Sequence, residues 1–266
     1  MALTAEALIS RVQVNIPFPF LGQGYLELFL KRGLNPEIGL DAYSLSHFQR
    51  RDFTRMARAF IKARRRLTLH APFQDLLPGA LDEQILTASR RRLRQAFNLL
   101  PVFKPVSIVC HLGWDTKLYQ WDRANWLLRS AATWKELAAL ALEQGVTVMV
   151  ENVYETDPDL FIELLNLVNV PNFQVCLDVG HLQAFGDGDY HRWLHTLWPH
   201  IGQLHLHDNK GDQDSHLALG RGTVPLTTVL NFLAERDRQP LVTLEPHHEG
   251  SLEPSLEHLS KIWPWQ

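Results

Sequence analysis

The stretch HLHDNKGDQDSH, residues 205–216, places three histidines and three aspartates within twelve positions. Most of the remaining chain is much poorer in both residue types. Imidazole and carboxylate groups are costly to bury unless a charged partner or a metal ion stabilises them. This density therefore predicts a segment that holds an ion or takes part in catalysis.

Other histidines and carboxylates occur where short apolar segments end. One such residue at a strand end is more often a hydrogen-bonded structural residue than a ligand. Several carboxylates that converge without a cation would repel one another, and a divalent metal removes that repulsion. Imidazole nitrogen and carboxylate oxygen both suit zinc, and also manganese or iron. Six residues occupy these positions: His70, His111, Glu151, Asp178, His205 and Glu245.

The segments that must position these residues alternate with longer, helix-like stretches. Continuous apolar strands separated by helices predict a parallel sheet that is covered on both faces. Eight such units in 266 residues predict an α/β fold, a single (β/α)8 TIM barrel over residues 1–266, whose strand ends meet at one mouth. The eight apolar segments are residues 11–17, 36–42, 66–72, 106–113, 146–152, 173–180, 201–208 and 240–246.

Charge and cysteine usage narrow the class of protein. The net charge of −3 favours neither a polyanionic partner nor a membrane surface. We find no apolar run long enough to span a bilayer and no signal peptide. Cys110 and Cys176 lie in apolar runs, which is typical of buried thiols in a reducing compartment. We therefore expect a cytoplasmic enzyme.

Three further residues extend the candidate ligand set. Asp214 and His216 are two positions apart after the seventh segment, and His181 lies three residues after Asp178 in DVGH. The resulting nine candidates are too many for one tetrahedral site and suit three metal ions that share a bridging carboxylate. We interpret His207 and Asp208 as supporting or structural residues.

Seven motifs carry a resemblance to a known family. They are LTLHAPF, VCHLGWD, VMVEN, CLDVGH, HLHDNK, DSHLALGRG and VTLEP, in this order from about residue 66 onward. The chain resembles the xylose isomerase-like TIM barrels, which include endonuclease IV, sugar isomerases and sugar epimerases. The nine-ligand set is most similar to that of the endonuclease IV branch, which binds three zinc ions.

The resemblance implies a role for each ligand. Glu151 would bridge two ions, and the other eight residues would complete the three coordination shells. The first ion would also be held by His70 and His111, the second by Asp178, His205 and Glu245, and the third by His181, Asp214 and His216.

The epimerase branch implies a simpler site. It uses one metal, which would here be held by Glu151, Asp178, His205 and Glu245, and the two glutamates would also move the substrate proton. That branch often has an arginine six residues after the strand-seven histidine, where this sequence has Gly211.

The leading functional prediction is a multinuclear phosphoester hydrolase, with zinc as the expected metal and Glu151 and Glu245 as catalytic residues. Metal ions about 3.5–4 Å apart can lower the pKa of a shared water, which Glu245 would orient. The alternative is a single-metal sugar or sugar-phosphate isomerase or epimerase, and a third reading is a non-catalytic metal-binding protein.

The loops predicted at the barrel mouth suggest the substrate. Phe73 could stack on a base or pack against the rim, and Trp114 could wall the cavity. Together with Lys210 and Arg221, these residues are our predicted substrate contacts. Few basic residues accompany them, so DNA is disfavoured as a partner, and a small phosphoester or a sugar is expected.

Overall fold

Eight parallel strands pair in chain order, and the last strand pairs with the first to close a barrel. The structure, a computed structural model, describes residues 4–265. The observed strands confirm the predicted (β/α)8 TIM barrel, because each predicted apolar segment contains or overlaps one strand. The strands are β1 Gln13–Pro17, β2 Asn35–Gly39, β3 Thr68–His70, β4 Ser107–His111, β5 Thr147–Glu151, β6 Phe173–Asp178, β7 Ile201–Leu206 and β8 Leu241–Leu244.

Helices follow the strands and cover the outside of the barrel. No helix of residues 4–265 is both long and apolar enough to cross a membrane. The helices are α1 Ala5–Ile9, α2 Phe18–Phe20, α3 Leu26–Arg32, α4 Ala42–His47, α5 Arg50–Lys62, α6 Glu83–Phe97, α7 Leu100–Phe103, α8 Thr116–Tyr119, α9 Arg123–Leu142, α10 Asp159–Val168, α11 Val179–Ala184, α12 Tyr190–Leu197, α13 Leu226–Ala234 and α14 Leu252–Ile262. Short 3-10 turns lie at Gln120–Asp122, Trp198–His200 and Glu249–Ser251, and a π-type turn lies at Leu21–Tyr25.

The main hydrophobic core lies between the strands and these helices. In α5, Phe53, Met56, Ala57 and Phe60 recur at the three-to-four-residue spacing of one helix face and are buried. The helix begins after Gln49, where a capping box satisfies the first backbone amides. Packing of such apolar faces against the outer side of the sheet fixes the positions of the strands and therefore of their ends.

Strand periodicity directs the site residues into the barrel. Side chains alternate between the two faces of a strand, so residues two apart point to the same side. Val109, Met149 and Cys176 each lie two positions before a predicted ligand and form a small buried cluster of their own. This cluster fills the barrel interior beneath the strand ends. Cys110 and Cys176 are both buried and free, as predicted.

The loop after β7 is organised around the carboxylate of Asp208. This side chain is 1% exposed. Its Oδ1 accepts hydrogen bonds from the backbone amides of Asn209 and Val224, at 3.0 and 3.1 Å. Its Oδ2 accepts from the amides of Gly220 and Gly222, both at 2.9 Å. Four amides converging on one buried carboxylate fold residues 209–224 back onto the barrel, and this loop carries two of the predicted ligands.

Replacement of Asp208 by alanine should destabilise the protein and release this loop. The change leaves four amides without their acceptor, two of them buried and two part-buried. One unsatisfied buried group costs about 1–3 kcal/mol. We expect the free energy of unfolding, measured by urea titration, to fall by about 3 kcal/mol or more. Asp212→Ala, in an exposed position of the same loop, is the matched control. Equal stability of the two variants would contradict the organising role of Asp208.

Candidate metal centre

Four imidazole rings surround the carboxylate of Glu151, the last residue of β5. The Nε2 atoms of His70 and His111 lie 3.1 and 3.0 Å from its Oε2. Nδ1 of His205 lies 3.0 Å from its Oε1, and Nδ1 of His181 lies 3.5 Å from the same oxygen. Glu151 is 1% exposed. Burial alone would raise its pKa, but the imidazoles of His205 and His111 hold the pKa well below the ordinary carboxyl value.

The tautomers of two histidines indicate that a cation belongs between ring and carboxylate. Nδ1 of His70 lies 2.9 Å from the next residue's carbonyl oxygen, and Nδ1 of His216 lies 3.1 Å from the carbonyl oxygen of Glu245. A carbonyl only accepts, so Nδ1 carries the hydrogen in both rings. In the neutral ring, Nε2 then carries a lone pair and no hydrogen. It nevertheless faces Glu151 at 3.1 Å in His70 and Asp214 at 3.0 Å in His216. Only a proton or a metal ion makes these approaches favourable.

Asp178 offers a free oxygen to the same cluster. Its Oδ1 accepts the backbone amide of His181 at 2.7 Å, as the N-cap of α11, and lies 3.1 Å from Nε2 of His207. Its Oδ2 is buried, has no hydrogen-bond partner among residues 4–265, and lies 3.9 Å from Nδ1 of His205. Buried polar atoms without partners are rare in native proteins. An unpaired carboxylate oxygen beside imidazole nitrogens fits a metal ligand.

The candidate ligands form several groups that share members. Within each group, the atoms that could bind a metal all lie within 4.8 Å of one another. Three of these groups overlap the three sites implied by the resemblance, but the second group lacks Glu245, and the ligand roles stay predictions. His207 joins the third group, and Glu245 is grouped with Glu37 and with His207. The groups are His70–His111–Glu151, Glu151–Asp178–His205, His181–His207–Asp214–His216, Glu37–His205–Glu245 and Asp178–His207–Glu245.

Glu37 is a member of the cluster that the sequence interpretation missed. It is fully buried in β2, and its Oε1 lies 3.0 Å from Nε2 of His205. Its Oε2 accepts from Gln203 at 2.6 Å and from the hydroxyls of Thr68 and Thr243 at 3.0 and 3.2 Å. Glu37 therefore places a second carboxylate against this ring at Nε2, while Nδ1 of His205 faces Glu151. A carboxylate inside the apolar segment PEIGLDA was the available signal.

His216 is held between two other imidazole rings. His207 stacks on one face, with ring centroids 3.8 Å apart, and His247 stacks on the other at 3.5 Å. The interplanar angles are 9° and 11°. The backbone of His216 has φ 43°, a left-handed conformation that is uncommon outside glycine. Stacking and backbone together fix the direction of Nε2 toward Asp214.

The charges of the cluster depend on its protons. Burial lowers the pKa of His205 and His181, but nearby carboxylates outweigh burial, and both values lie well above the ordinary 6.5. Burial would raise the pKa of Glu245 and Asp214, and their histidine neighbours lower it strongly instead. A metal-free centre therefore retains imidazolium ions beside carboxylates, and a divalent metal would replace those protons.

A cavity of about 390 Å³ opens at the barrel mouth over the cluster. Three aromatic rings line it, from Phe73, Tyr154 and Phe185, and Asp41 and Gln74 add polar groups. Among the lining residues that the structure describes there is no lysine or arginine. Most of the predicted ligands also border the cavity, namely His70, His111, Glu151, His181, Asp214, His216 and Glu245.

The predicted substrate contacts lie in different places. Phe73 lines the cavity and stacks on His111, with centroids 4.2 Å apart. Trp114 is 4% exposed and packs on Trp126 with centroids 4.9 Å apart, so it belongs to the core. Lys210 and Arg221 are exposed and are not among the residues that border the cavity.

The melting temperature of the metal-free protein should fall as the pH rises from about 6 to about 9. His205 and His181 have folded-state pKa values above the ordinary 6.5, so their stabilising contribution is complete below that pH. It is lost as the pH rises through the folded-state values. A metal ion binds the deprotonated ligands and adds about 2.7 kcal/mol at a free concentration of about 100 times its Kd.

Differential scanning fluorimetry across this pH range, with and without zinc or manganese, measures both effects. The loaded protein should keep its melting temperature where the metal-free protein loses it. A metal-free protein with a flat pH profile, unchanged by added metal, would show that these imidazoles neither hold protons nor bind an ion.

This chain is similar to known proteins both in sequence and in structure. MJ1311 of Methanocaldococcus jannaschii is 25% identical over 186 residues, which cover 67% of this chain and 64% of that protein. A D-tagatose 3-epimerase-like protein superposes with a TM-score of 0.80 at 20% identity, over 95% of this chain and 96% of that one.

The TTHB071 protein from Thermus thermophilus, in a structure soaked with ZnCl2, gives a TM-score of 0.81 at 24% identity, over 95% of this chain and 97% of that one. These structural likenesses show the fold. Residues 21–262 match the description of the xylose isomerase-like TIM barrel, and the chain therefore belongs to that family.

Proposed function

We propose that this protein is a metal-dependent enzyme that isomerises or epimerises a small sugar. The observation that carries the proposal is the character of the cavity over the cluster. Aromatic rings can cover the C–H faces of a sugar, while Asn15, Asp41 and Gln74 can bond its hydroxyls. The described lining has no lysine or arginine to neutralise a phosphate group. A neutral sugar therefore suits this cavity better than a phosphoester or DNA.

Two glutamates provide the proton-transfer groups for such a reaction. The Oε1 atoms of Glu151 and Glu245 lie 3.0 and 3.1 Å from the same Nδ1 of His205, so both carboxylates converge on one point. One carboxylate would remove the proton from the carbon beside the sugar carbonyl, and the other would return a proton. A divalent metal would polarise that carbonyl if it were held by Glu151, Asp178, His205 and Glu245.

The family and its sugar-epimerase neighbours also support this proposal. The sequence departs from the epimerase pattern at Gly211, where an arginine is expected, and this glycine has φ +81°. Recognition of the sugar would then rely on other groups. Asp41 and Gln74, on the loops after β2 and β3, line the cavity with Asn15 and would bind the sugar hydroxyls in the absence of that arginine.

A second candidate function is phosphoester hydrolysis by a multinuclear centre. The third ligand group favours it, because Nε2 of His181 and of His216 lie 3.5 and 3.0 Å from the same oxygen of Asp214. Ligand atoms around one tetrahedral zinc ion are about 3.3 Å apart. If the protein is a hydrolase, Glu245 would orient the attacking water. Metal ions would then neutralise the phosphate charge in place of lysine or arginine side chains. Zinc, manganese and iron are the ions to test.

Glu245→Gln should remove the sugar reaction while keeping the fold. The amide cannot accept the substrate proton, and loss of a general base typically slows a reaction by about 10²–10⁴-fold. The measurement is deuterium uptake from D2O into a panel of ketoses and aldoses, followed by NMR, with the metal-loaded protein. Glu257→Gln, an exposed change on α14, is the matched control. A variant as active as this control would refute the role of Glu245.

His216→Ala separates the two candidate functions. For an isomerase, the variant should weaken substrate binding and keep the metal at Glu151, Asp178, His205 and Glu245. For a hydrolase, it should lose one ion and slow phosphodiester cleavage by about a hundredfold or more. Elemental analysis with assays on a generic phosphodiester and on the sugar panel gives both readouts. Wild-type turnover of the phosphodiester alone would replace the sugar proposal with the hydrolase.

A further inference from the structure

A second cavity, of about 210 Å³, lies beside the first, between β1, α3 and the start of α14. Its wall is largely apolar and includes Val14, Ile16, Leu28 and Phe29. A cavity of about 150 Å³ lined by such residues is large enough to bind benzene. The second cavity is therefore large enough for one aromatic ring with a short substituent.

Two further aromatic side chains line this cavity. Phe20 and Tyr25, from the irregular segment after β1, both line it and stack on each other with centroids 5.9 Å apart. Arg32 also reaches the cavity, but its guanidinium is paired with Glu253. Its charge is thus already balanced, and an apolar ligand fits this cavity better than an anion does.

The two cavities share part of their wall. Asn15, Pro17 and His247 border both of them. His247 also stacks on the candidate ligand His216, at 3.5 Å between centroids. The two cavities are thus neighbours, and one molecule with a polar part over the cluster and an apolar part beyond these shared residues would contact both.

We infer that the substrate is an aryl glycoside whose sugar ring carries a ketone, with its sugar in the first cavity and its aromatic aglycone in the second. This inference rests on the proposed function. Because the aryl group occupies the anomeric oxygen, the proton transfer would take place at a ring carbon beside a ketone rather than at the anomeric carbon. The sugar part supplies the hydroxyls and the reacting carbon, and burial of the aryl ring supplies affinity.

The first experiment tests the ring site alone, with phenol as the probe. NMR titration of the metal-loaded protein should give saturable binding. Leu28→Trp, which fills the cavity, should abolish it, and Tyr25→Ala, which removes part of the wall, should weaken it. Leu128→Trp, an exposed change on α9, is the control and should bind like the wild type. Absence of phenol binding in the wild type would overturn the inference.

The second experiment compares phenyl and methyl glycosides of the same ketone-bearing sugars by calorimetry. In the wild type, the affinity of at least one phenyl glycoside should exceed that of the matching methyl glycoside tenfold or more. In Leu28→Trp, the two glycosides should bind with equal affinity. Equal affinities in the wild type would overturn the aglycone site while leaving the sugar proposal intact. If the protein binds phenol but no glycoside, the glycoside inference is overturned. The D2O assay then tests the proposed function separately, because turnover of a free sugar does not depend on the second cavity.

Discussion

The contact between a buried carboxylate and several imidazole rings constrains the rest of this barrel. Glu151 is 1% exposed and has His70, His111 and His205 within about 3 Å. A carboxylate in this setting is stable only if positive charge lies beside it, as protons on the rings or as a metal ion. The ring of His70 uses its Nδ1 hydrogen on a backbone carbonyl, and this leaves Nε2 to meet that positive charge.

The fold meets this constraint through groups that hold each ligand in one orientation. Parallel strands bring the candidate ligands to one end of the barrel, and the buried carboxylate of Glu37 lies 3.0 Å from Nε2 of His205. Four amides on Asp208 hold the loop that carries Asp214. The ring stack on His216 then completes the wall toward the cavity. Most of these supports are themselves buried, so the centre is preorganised before any ion binds.

The sequence was sufficient to predict the barrel and the strand-end positions of the candidate ligands, because apolar segments that alternate with helix-like stretches are local signals. His70, His111, Glu151 and Asp178 are indeed the last residues of their strands. Glu37 was missed because its role depends on His205, more than 160 residues later, across the barrel. Trp114 lies three residues after the candidate ligand His111, yet its loop turns the indole into the core. Side-chain direction in loops, and with it the charge of the cavity, depends on tertiary packing that no local pattern records.

Anomalous diffraction from a crystal soaked in zinc tests the central claim most directly. The account predicts a zinc peak about 2.0–2.2 Å from a carboxylate oxygen of Glu151 and about 2.0–2.1 Å from an imidazole nitrogen that now faces it. A further peak beside Asp214 would distinguish a multinuclear centre from a single-metal one. A well-soaked crystal without a peak at Glu151, in which the carboxylate keeps direct hydrogen bonds to protonated rings, would contradict the account.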